Sequence, residues 1–559
     1  MRQFIPLLSV LLIFALPLAG IGQSTSLHLD KAFYVNGEVM WYKLYLPTSF
    51  SGHEVAIKAS LHEADGDELQ YTFHQSAGET SIDGYYKIPF DLKTGWYQLS
   101  FQTLEESSRE PVQLAVQSFP VYNDNDARTL EPQMEELAVA SEEESPYPGG
   151  LRVSLTLAEE QPPTRSQNTL TITVTDASGQ PVAADASLAV TNWTLVEPAM
   201  GGYSGVNEGA AGVSAEPASL LSQVYKRIQV IDSTGAPRIA SVIGTWSGQE
   251  NKMYFSSRTN QEGVSLLKQP DFTGQKTVQY LGYDKEIEDI RTREIPNQLP
   301  AIQRELLVTP GLLNYLQKSQ QRKKIFQYYK QLEFDLKIAP QQLEKVILKG
   351  NQTFVVSEYE AFDNFATFFQ ENLSPLRFGE DRANNKYTTY MYNPRNNRNN
   401  KRLPGRPLFI VDGKATRDAD FVGRLDLEQV ETVHLFFRPE NLRDQFNVMG
   451  ANGAVAIEMT GGDEVQLPSA DEANRYRISG LQRAASFPAF NPNDIPANQP
   501  FFRPQLFWEP SVTIGADGTG TVSFYQSDAR DSFRVEVMVQ DAEGRRGYQT
   551  LIYEVGNNQ

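Results

Sequence analysis

The chain has no cysteine among its 559 residues. Without thiols it cannot build disulfide frameworks, thiolate nucleophiles, Cys-ligated zinc or iron–sulfur clusters. Histidine is scarce as well, with five residues. Neither His53-Glu54 nor His62-Glu63 has a second histidine one helical turn later, so the His-Glu-x-x-His pattern of zinc proteases is missing. We therefore predict no metal site.

The motifs of several common enzyme classes are also absent. The sequence contains no Gly-x-Ser-x-Gly elbow, no P-loop and no Gly-x-Gly-x-x-Gly. Two acidic pairs, Asp65/Asp67 and Asp124/Asp126, have the residue types of glycosidase carboxylates, but they fall in turn and linker sequence, where carboxylates are usually solvated. The sequence thus predicts no catalytic residue, no cofactor-binding residue and no cofactor, and an enzyme acting on carbohydrates or peptides is the least favoured class.

The composition is that of an ordinary globular protein with several domains. Apolar residues make up 40% and aromatic residues 11% of the chain, enough for several cores. The 50 Lys and Arg residues against 69 Asp and Glu residues give a net charge of −19. An acidic surface repels the phosphate backbone, so no nucleic-acid partner is expected.

The N-terminal segment Met1–Gly22 has the pattern of a secretory signal peptide. An arginine precedes an apolar run, and Gly20 and Gly22 occupy the −3 and −1 positions of a cleavage site before Gln23. The alternative is a membrane anchor, but the run holds two prolines and is shorter than a typical span. We expect an exported protein of the periplasm or outer membrane, within the cell envelope, with no transmembrane helix after cleavage.

Short alternating runs predict a first β-sandwich over residues 23–122. Val39–Leu46 and Gly95–Phe101 alternate apolar and polar residues between turn signals, as half-buried antiparallel strands do. The acidic stretch 123–150 that follows cannot bury a core and is predicted to be a linker.

A short motif occurs three times, in Asp176–Gly179, Asp232–Gly235 and Asp541–Gly544. The aspartate can accept hydrogen bonds from downstream N–H groups, and the glycine tolerates the positive φ that closes a turn. A calcium loop would need more oxygen ligands than these segments supply. Each copy therefore predicts a strand that leads into a tight turn.

The middle of the chain divides into β segments at 151–200 and 220–300 and a helical connector at 301–338. Apolar and aromatic residues in the connector recur at roughly helical spacing and indicate a helix that packs on its own neighbour or, less favoured, binds a partner. This helical stripe consists of Leu312, Leu313, Leu316, Ile325, Tyr328, Tyr329 and Leu332.

The tract Asn393–Arg406 is basic and rich in asparagine. It is predicted to be an exposed loop, with contact to an acidic partner as the alternative.

Three segments resemble the macroglobulin domains of α-2-macroglobulin-type proteins. Leu29–Val39 is similar to the opening of the MG2 domain, although Asn36 stands where that family usually has proline. Ser187–Asn192 and Phe507–Tyr525 resemble later sandwich strands and imply a C-terminal macroglobulin-like segment at 501–559. Trp508 and Phe524 are expected to point inward. The thioester of that family needs a cysteine, so covalent protease trapping is excluded.

A second resemblance lies in Pro407–Gly413, Leu425–Val433 and Gly450–Thr460. These segments resemble the plug domain of TonB-dependent outer-membrane receptors, which implies an α/β domain at 339–465 with turns at Asp412-Gly413 and Asn452-Gly453, followed by a linker at 466–500. Too few residues follow for a receptor barrel. The combination is similar to large exported proteins of Bacteroidetes-type bacteria.

The expected fold class is therefore mainly β, with several immunoglobulin-like, macroglobulin-type sandwiches and one small α/β plug-like domain. The expected function is that of a non-enzymatic binding or assembly component at the outer membrane or cell surface, which holds an outer-membrane or periplasmic protein through sheet edges and loops. The alternative is an accessory of TonB-dependent nutrient uptake whose plug-like domain engages a receptor barrel.

Overall fold

The computed structural model describes residues 24–132, 150–200, 206–208, 216–255, 258–283, 291–329, 348–359, 362–372, 375–392, 402–461, 465–488, 491–496 and 498–556. Strands account for 45% and helices for 16% of the described residues, which confirms the mainly β fold class. The signal-peptide segment Met1–Gly22 and most of the tract Asn393–Arg406 lie outside the described residues. Among the described helices, none combines the length and apolar character needed to cross a membrane.

The first sandwich packs a four-stranded sheet on a five-stranded sheet. The strands predicted from alternation are confirmed as Val39–Tyr45 and Gly95–Leu104. Val39–Tyr45 is buried on both faces, because a second sandwich covers its outer side; even Lys43 is only 2% exposed. In spatial order, the four-stranded sheet consists of Val206–Glu208, Ser26–Leu29, Val39–Tyr45 and Ser81–Lys87. The five-stranded sheet consists of Tyr34–Val35, Pro111–Tyr122, Gly95–Leu104, Ala56–Glu63 and Glu68–Gln75.

The second sandwich is assembled from two distant parts of the chain. Its central strand Ala184–Asn192 pairs on one side with Gln505–Ile514 and on the other with Ser532–Asp541. The segments at 151–200 and 501–559 thus share one hydrophobic core. In spatial order the sheets are Thr519–Tyr525, Gln167–Thr175 and Arg152–Leu157, and Gln505–Ile514, Ala184–Asn192, Ser532–Asp541 and Arg546–Glu554.

The third sandwich also closes with a strand from far along the chain. Arg475–Ser479, within the stretch 466–500 expected as a linker, pairs with Gln275–Gly282. This five-residue strand carries no apolar run of its own, so its order depends on that long-range pairing. In spatial order the sheets are Val264–Lys268, Tyr225–Ile231 and Arg291–Glu294, and Lys252–Phe255, Ile243–Ser247, Gln275–Gly282 and Arg475–Ser479.

A five-stranded mixed sheet with helices forms the α/β domain, inserted before that closing strand. The predicted order of strand, turn, helix, strand, turn and strand is present, and Leu408–Val411 runs parallel to Ala454–Met459. Asp412 and Gly413 have φ values of 46° and 76°, the left-handed conformation of a tight hairpin turn. The sheet order is Gln352–Val355, Val430–Phe436, Ala454–Met459, Leu408–Val411 and Lys414–Thr416, the helices are Phe365–Asn372, Ala419–Gly423 and Pro439–Phe446, and a hairpin joins Leu376–Asp381 to Lys386–Met391.

Pro310–Tyr329, here the long helix, packs against the first sandwich and the short helix Trp193–Met200. The expectation that it packs on its own chain is confirmed. Tyr328, which the stripe placed on the buried side, is 79% exposed, and that part of the prediction is wrong. The buried side begins with Leu312, Tyr315 and Leu316, which pack in an apolar cluster. Further along the helix, Ser319 and Arg322 are buried against the carboxylates of Asp124 and Glu38. The remaining helical turns are Thr48–Phe50, Asp124–Arg128, Pro217–Ser219, Val356–Glu358, Leu427–Gln429, Asn447–Gly450, Ser469–Glu472 and Pro492–Asp494.

All three repeated turns form as predicted. In the first, the Asp176 carboxylate accepts the N–H groups of Ser178 and Gln180, each at 2.9 Å, and Gly179 has a φ of 82°. Asp232 and Asp541 accept equivalent bonds in the other two turns. These carboxylates are engaged by their own turns, as the sequence interpretation requires.

Candidate functional site

The Asp-Lys…Gly-Glu motif of the first sandwich forms a buried charge cluster. Lys31 Nζ donates to Glu38 Oε2 at 2.6 Å, and the Tyr34 hydroxyl donates to Asp30 Oδ1 at 2.6 Å. Gly37, with a φ of 82°, lets the chain turn between these residues. A Cβ at Gly37 would come within 2.3 Å of the Phe90 ring, so glycine is required there.

The long helix closes this cluster from the other side. The Tyr315 hydroxyl donates to Glu38 Oε1 at 3.0 Å, and Arg322 lies 3.6 Å from the same oxygen. The next residue, Lys323, donates to Asp124 at 2.6 Å and to Asn36 Oδ1 at 2.9 Å. The helix is therefore held to the first sandwich by charge as well as by apolar contact.

The two carboxylates of the cluster, Asp30 and Glu38, have pKa values shifted in opposite directions. Burial opposes the ionised form of Glu38, but Lys31 and Arg322 outweigh it and keep the pKa of Glu38 below its usual value. Burial raises the pKa of Asp30 to about 6, partly offset by Lys31. Glu38 therefore keeps its negative charge at a lower pH than Asp30 does.

A second group of buried polar side chains, here the polar seam, lies between the first and second sandwiches. His28 contacts Ser187 Oγ through Nδ1 at 2.6 Å and Glu536 through Nε2 at 3.3 Å. Arg534 lies 2.9 Å from Glu536. Burial raises the pKa of Glu536, but Arg534 and hydrogen bonding outweigh it and bring this pKa to about 2. The Tyr45 hydroxyl donates across the same seam to Ser187 at 2.9 Å.

Trp508 belongs to this seam and not to the core of its own sandwich. Its ring packs on His28 with centroids 5.0 Å apart, in a cluster with Trp41 and Tyr85 of the first sandwich. The expectation that Trp508 points inward is wrong, whereas Phe524 does lie in the second core. An irregularity in the pairing of the Trp508 strand, between Ala186 and Leu188 of its neighbour, changes the face that the tryptophan presents.

The α/β domain docks on the third sandwich through its Asp412-Gly413 turn. Trp246 Nε1 donates to the carbonyl of Gly413 at 2.7 Å, and its ring stacks on Phe446 with centroids 5.7 Å apart. Next to the turn, the Gln279 side chain bonds both backbone groups of Ala415, at 2.5 and 2.9 Å. The outer strand of this sheet is therefore covered by the third sandwich.

Residues 480–487, here the return segment, tie the first sandwich to the third. Leu481 bridges to Phe73 and to Thr273. The Gln482 amide accepts from the Tyr85 backbone N–H at 3.1 Å and donates to its carbonyl at 2.7 Å. Two edge strands of the first sandwich are thereby capped by the chain itself.

The acidic pairs considered as glycosidase residues serve the local structure. Asp65 accepts the backbone N–H of Asp67 within a turn, at 3.2 Å. Asp124 is buried against Lys323, and Asp126 accepts the Thr94 hydroxyl at 2.7 Å. Within the described ranges, no group of three or more His, Asp or Glu residues is arranged to hold a metal ion.

Comparison with known proteins adds little beyond this geometry. No family profile and no curated sequence matches the chain. The solved structure of Salmonella alpha-2-macroglobulin reacted with methylamine is similar over 96% of this chain and 40% of its own, at 10% identity and a TM-score of 0.23. Trypsin-activated alpha-2-macroglobulin from Escherichia coli is similar over 96% of this chain and 42% of its own, at 10% identity and a TM-score of 0.23. The Escherichia coli adhesin FdeC is similar over 49% of this chain and 64% of its own, at 12% identity and a TM-score of 0.14.

The chain spans less than half the length of these macroglobulins. The fold class rests on the strand pairing described above.

Removing the central anion should loosen the long helix. Glu38→Ala leaves Lys31 and Arg322 buried without their carboxylate, which should destabilise this junction by about 3–5 kcal/mol. Hydrogen exchange of the long helix, followed by mass spectrometry, should show faster exchange than in the exposed-site control Glu54→Ala. Equal exchange in both variants would contradict the assigned role of Glu38.

The buried His74 should make the first sandwich sensitive to acid. Its Nε2 lies 2.7 Å from the Tyr42 hydroxyl, and burial lowers its pKa from 6.5 to about 4. The unfolded chain therefore binds a proton that the folded chain excludes, so stability should fall by up to about 3 kcal/mol as the pH drops from 6.5 to 4.

Denaturant unfolding at several pH values tests this dependence. His74→Gln should remove this part of the pH dependence, while His53→Gln should leave it intact. An unchanged slope in His74→Gln would refute the assignment.

Proposed function

We propose that the protein is a non-enzymatic, exported binding component of the cell envelope, which holds an outer-membrane or periplasmic partner through exposed sheet edges. The buried ionisable groups support a structural role, because Lys31, Glu38 and Glu536 are each neutralised by a neighbour at a domain junction. The segments that resemble macroglobulin domains lie in the first and second sandwiches, which these junctions connect.

The treatment of the sheet edges carries the proposal. The chain covers the outer strands Glu68–Gln75, Ser81–Lys87 and Lys414–Thr416 with its own segments or side chains. In contrast, Arg546–Glu554 and Gln352–Val355 are outermost strands among the described sheets, with Ile552 53% and Val355 38% exposed. The Leu151 N–H bonds the Arg546 carbonyl at 2.7 Å and covers the start of the first of these strands, so its open part is the stretch around Ile552. Unpaired edges invite strand addition, so edges left open in a protein that covers others are its best candidate binding surfaces.

The alternative function, an accessory of TonB-dependent uptake, would use the α/β domain. It is favoured by the open strand Gln352–Val355, which lies on the side of the sheet opposite the docked strand Lys414–Thr416. A receptor barrel would then have to contact this domain without displacing the third sandwich.

Site-specific photo-crosslinking in whole cells distinguishes the two functions. A photoreactive residue at Ile552 should yield an adduct with an envelope protein, whereas one at Tyr328, exposed on the long helix, should yield none. An adduct at Val355 alone, with a receptor barrel, would favour the uptake accessory. Adducts at neither edge strand would contradict both proposals.

A further inference from the structure

A cavity of about 550 Å³ lies where the third sandwich meets the hairpin tip of the first. Pockets of roughly 300–1,000 Å³ at domain junctions are typical sites for small ligands. The tip contributes Glu110, and the turn before Val264 contributes Asn260 and Glu262. The other lining residues are Arg227, Gln229, Val264, Arg293, Glu294, Ile295 and Pro296.

The guanidinium group of Arg227 lies at this cavity, and its fork of N–H donors is only partly used. Its side chain is only 19% exposed, and its Nε is buried with no hydrogen-bond partner among the described residues. One terminal nitrogen lies 3.4 Å from both oxygens of Glu110, a carboxylate that is itself 68% exposed. A guanidinium binds a carboxylate best through two parallel N–H donors, and a buried donor without an acceptor costs stability.

Arg293 brings a second guanidinium to the same cavity. It stands directly opposite Gln229 on the neighbouring strand, and Arg227 is two residues before Gln229, on the same face. Arg293 donates to the Gln229 side chain at 2.5 Å, and Gln229 donates to the Glu262 carbonyl at 2.9 Å. This chain of bonds holds Arg293 at the edge of the cavity with further donors to offer.

The rest of the lining adds an apolar wall and acceptors. Ile295 and Pro296 form the wall, and the exposed Glu262 also lines the cavity. The Glu294 side chain lies on the opposite face of the sheet from Arg293, paired with Lys226 at 2.9 Å. The cavity thus offers arginine donors for an anion and the Glu262 carboxylate as an acceptor for hydroxyl or amino groups.

We propose that this cavity binds a small carboxylic acid that carries hydroxyl or amino groups. The carboxylate fills the fork of Arg227 and displaces Glu110, Arg293 contributes a second positive charge, and the ligand's donors face Glu262. This site is independent of the partner surface proposed above, so either can fail without the other.

Calorimetric titration of the full chain tests the site with two acids from different sources. The probes are D-glucuronate and the dipeptide L-Ala-L-Ala, with D-glucose and L-Ala-L-Ala amide as counterparts that lack the carboxylate. At least one acid should bind with a dissociation constant on the order of a millimolar or lower, and its counterpart should not. The acid that binds identifies the source, an acidic sugar or a peptide fragment.

Variants of the cavity provide the matched controls. Arg227→Gln should weaken binding about tenfold or more, because a charge-assisted bond is lost. Arg291→Gln, the same change on the Arg293 strand outside the cavity lining, should have no effect. Glu110→Gln should strengthen binding, since it removes the competing carboxylate. Thermal unfolding confirms that each variant is folded.

Three results would overturn the proposal. These are no binding of either acid, equal binding of the acids and their counterparts, and unchanged affinity in folded Arg227→Gln.

Discussion

The pairing of Thr191 with Gln505 is the constraint on which the rest of the structure depends. The chain leaves the second sandwich after Ala184–Asn192 and returns beside that strand, so residues 193–504 must begin and end at the same place. The third sandwich repeats this arrangement, because Arg475–Ser479 returns to Gln275–Gly282 after the α/β domain. Each insertion is therefore anchored at both ends.

Polar seams then fix how the anchored domains meet. Apolar contact alone would stabilise several orientations, whereas the ion pairs at Glu38 and Glu536 need particular partners at particular distances. Breaking one such pair is costly, because it leaves a buried charge uncompensated. The same reasoning explains the Gln279 and Gln482 side chains, which satisfy backbone groups that an uncovered sheet edge would expose to other chains.

Local patterns in the sequence predicted the local structure well. The alternation of Val39–Leu46 and the three aspartate–glycine turns follow from short-range propensity, whereas the order of elements in the α/β domain was implied by the resemblance to plug domains. What the sequence could not supply is the long-range pairing. Nothing near Glu38 points to Tyr315, and Arg475–Ser479 has no strand signal that is independent of its partner.

The candidate site shows the same limit. Arg227 and Glu110 lie 117 residues apart, and no motif connects them. Trp508 was assigned to the wrong side for a related reason, since the pairing irregularity that redirects it depends on the neighbouring strand. Sequence reasoning therefore describes the domains better than the junctions, and in this protein the junctions hold most of the buried charge.

The anchoring of the inserted segment at both ends is tested most directly by engineering one disulfide into the cysteine-free chain. Asn192 N–H bonds the Pro504 carbonyl at 2.7 Å, so Thr191 and Gln505 form a non-hydrogen-bonded pair, whose Cα atoms lie about 4.5 Å apart, within disulfide range. We predict that Thr191→Cys with Gln505→Cys oxidises nearly completely, as measured by intact mass, whereas Thr191→Cys with Ser511→Cys does not. Equal oxidation of the two pairs, or none in the first, would contradict the account.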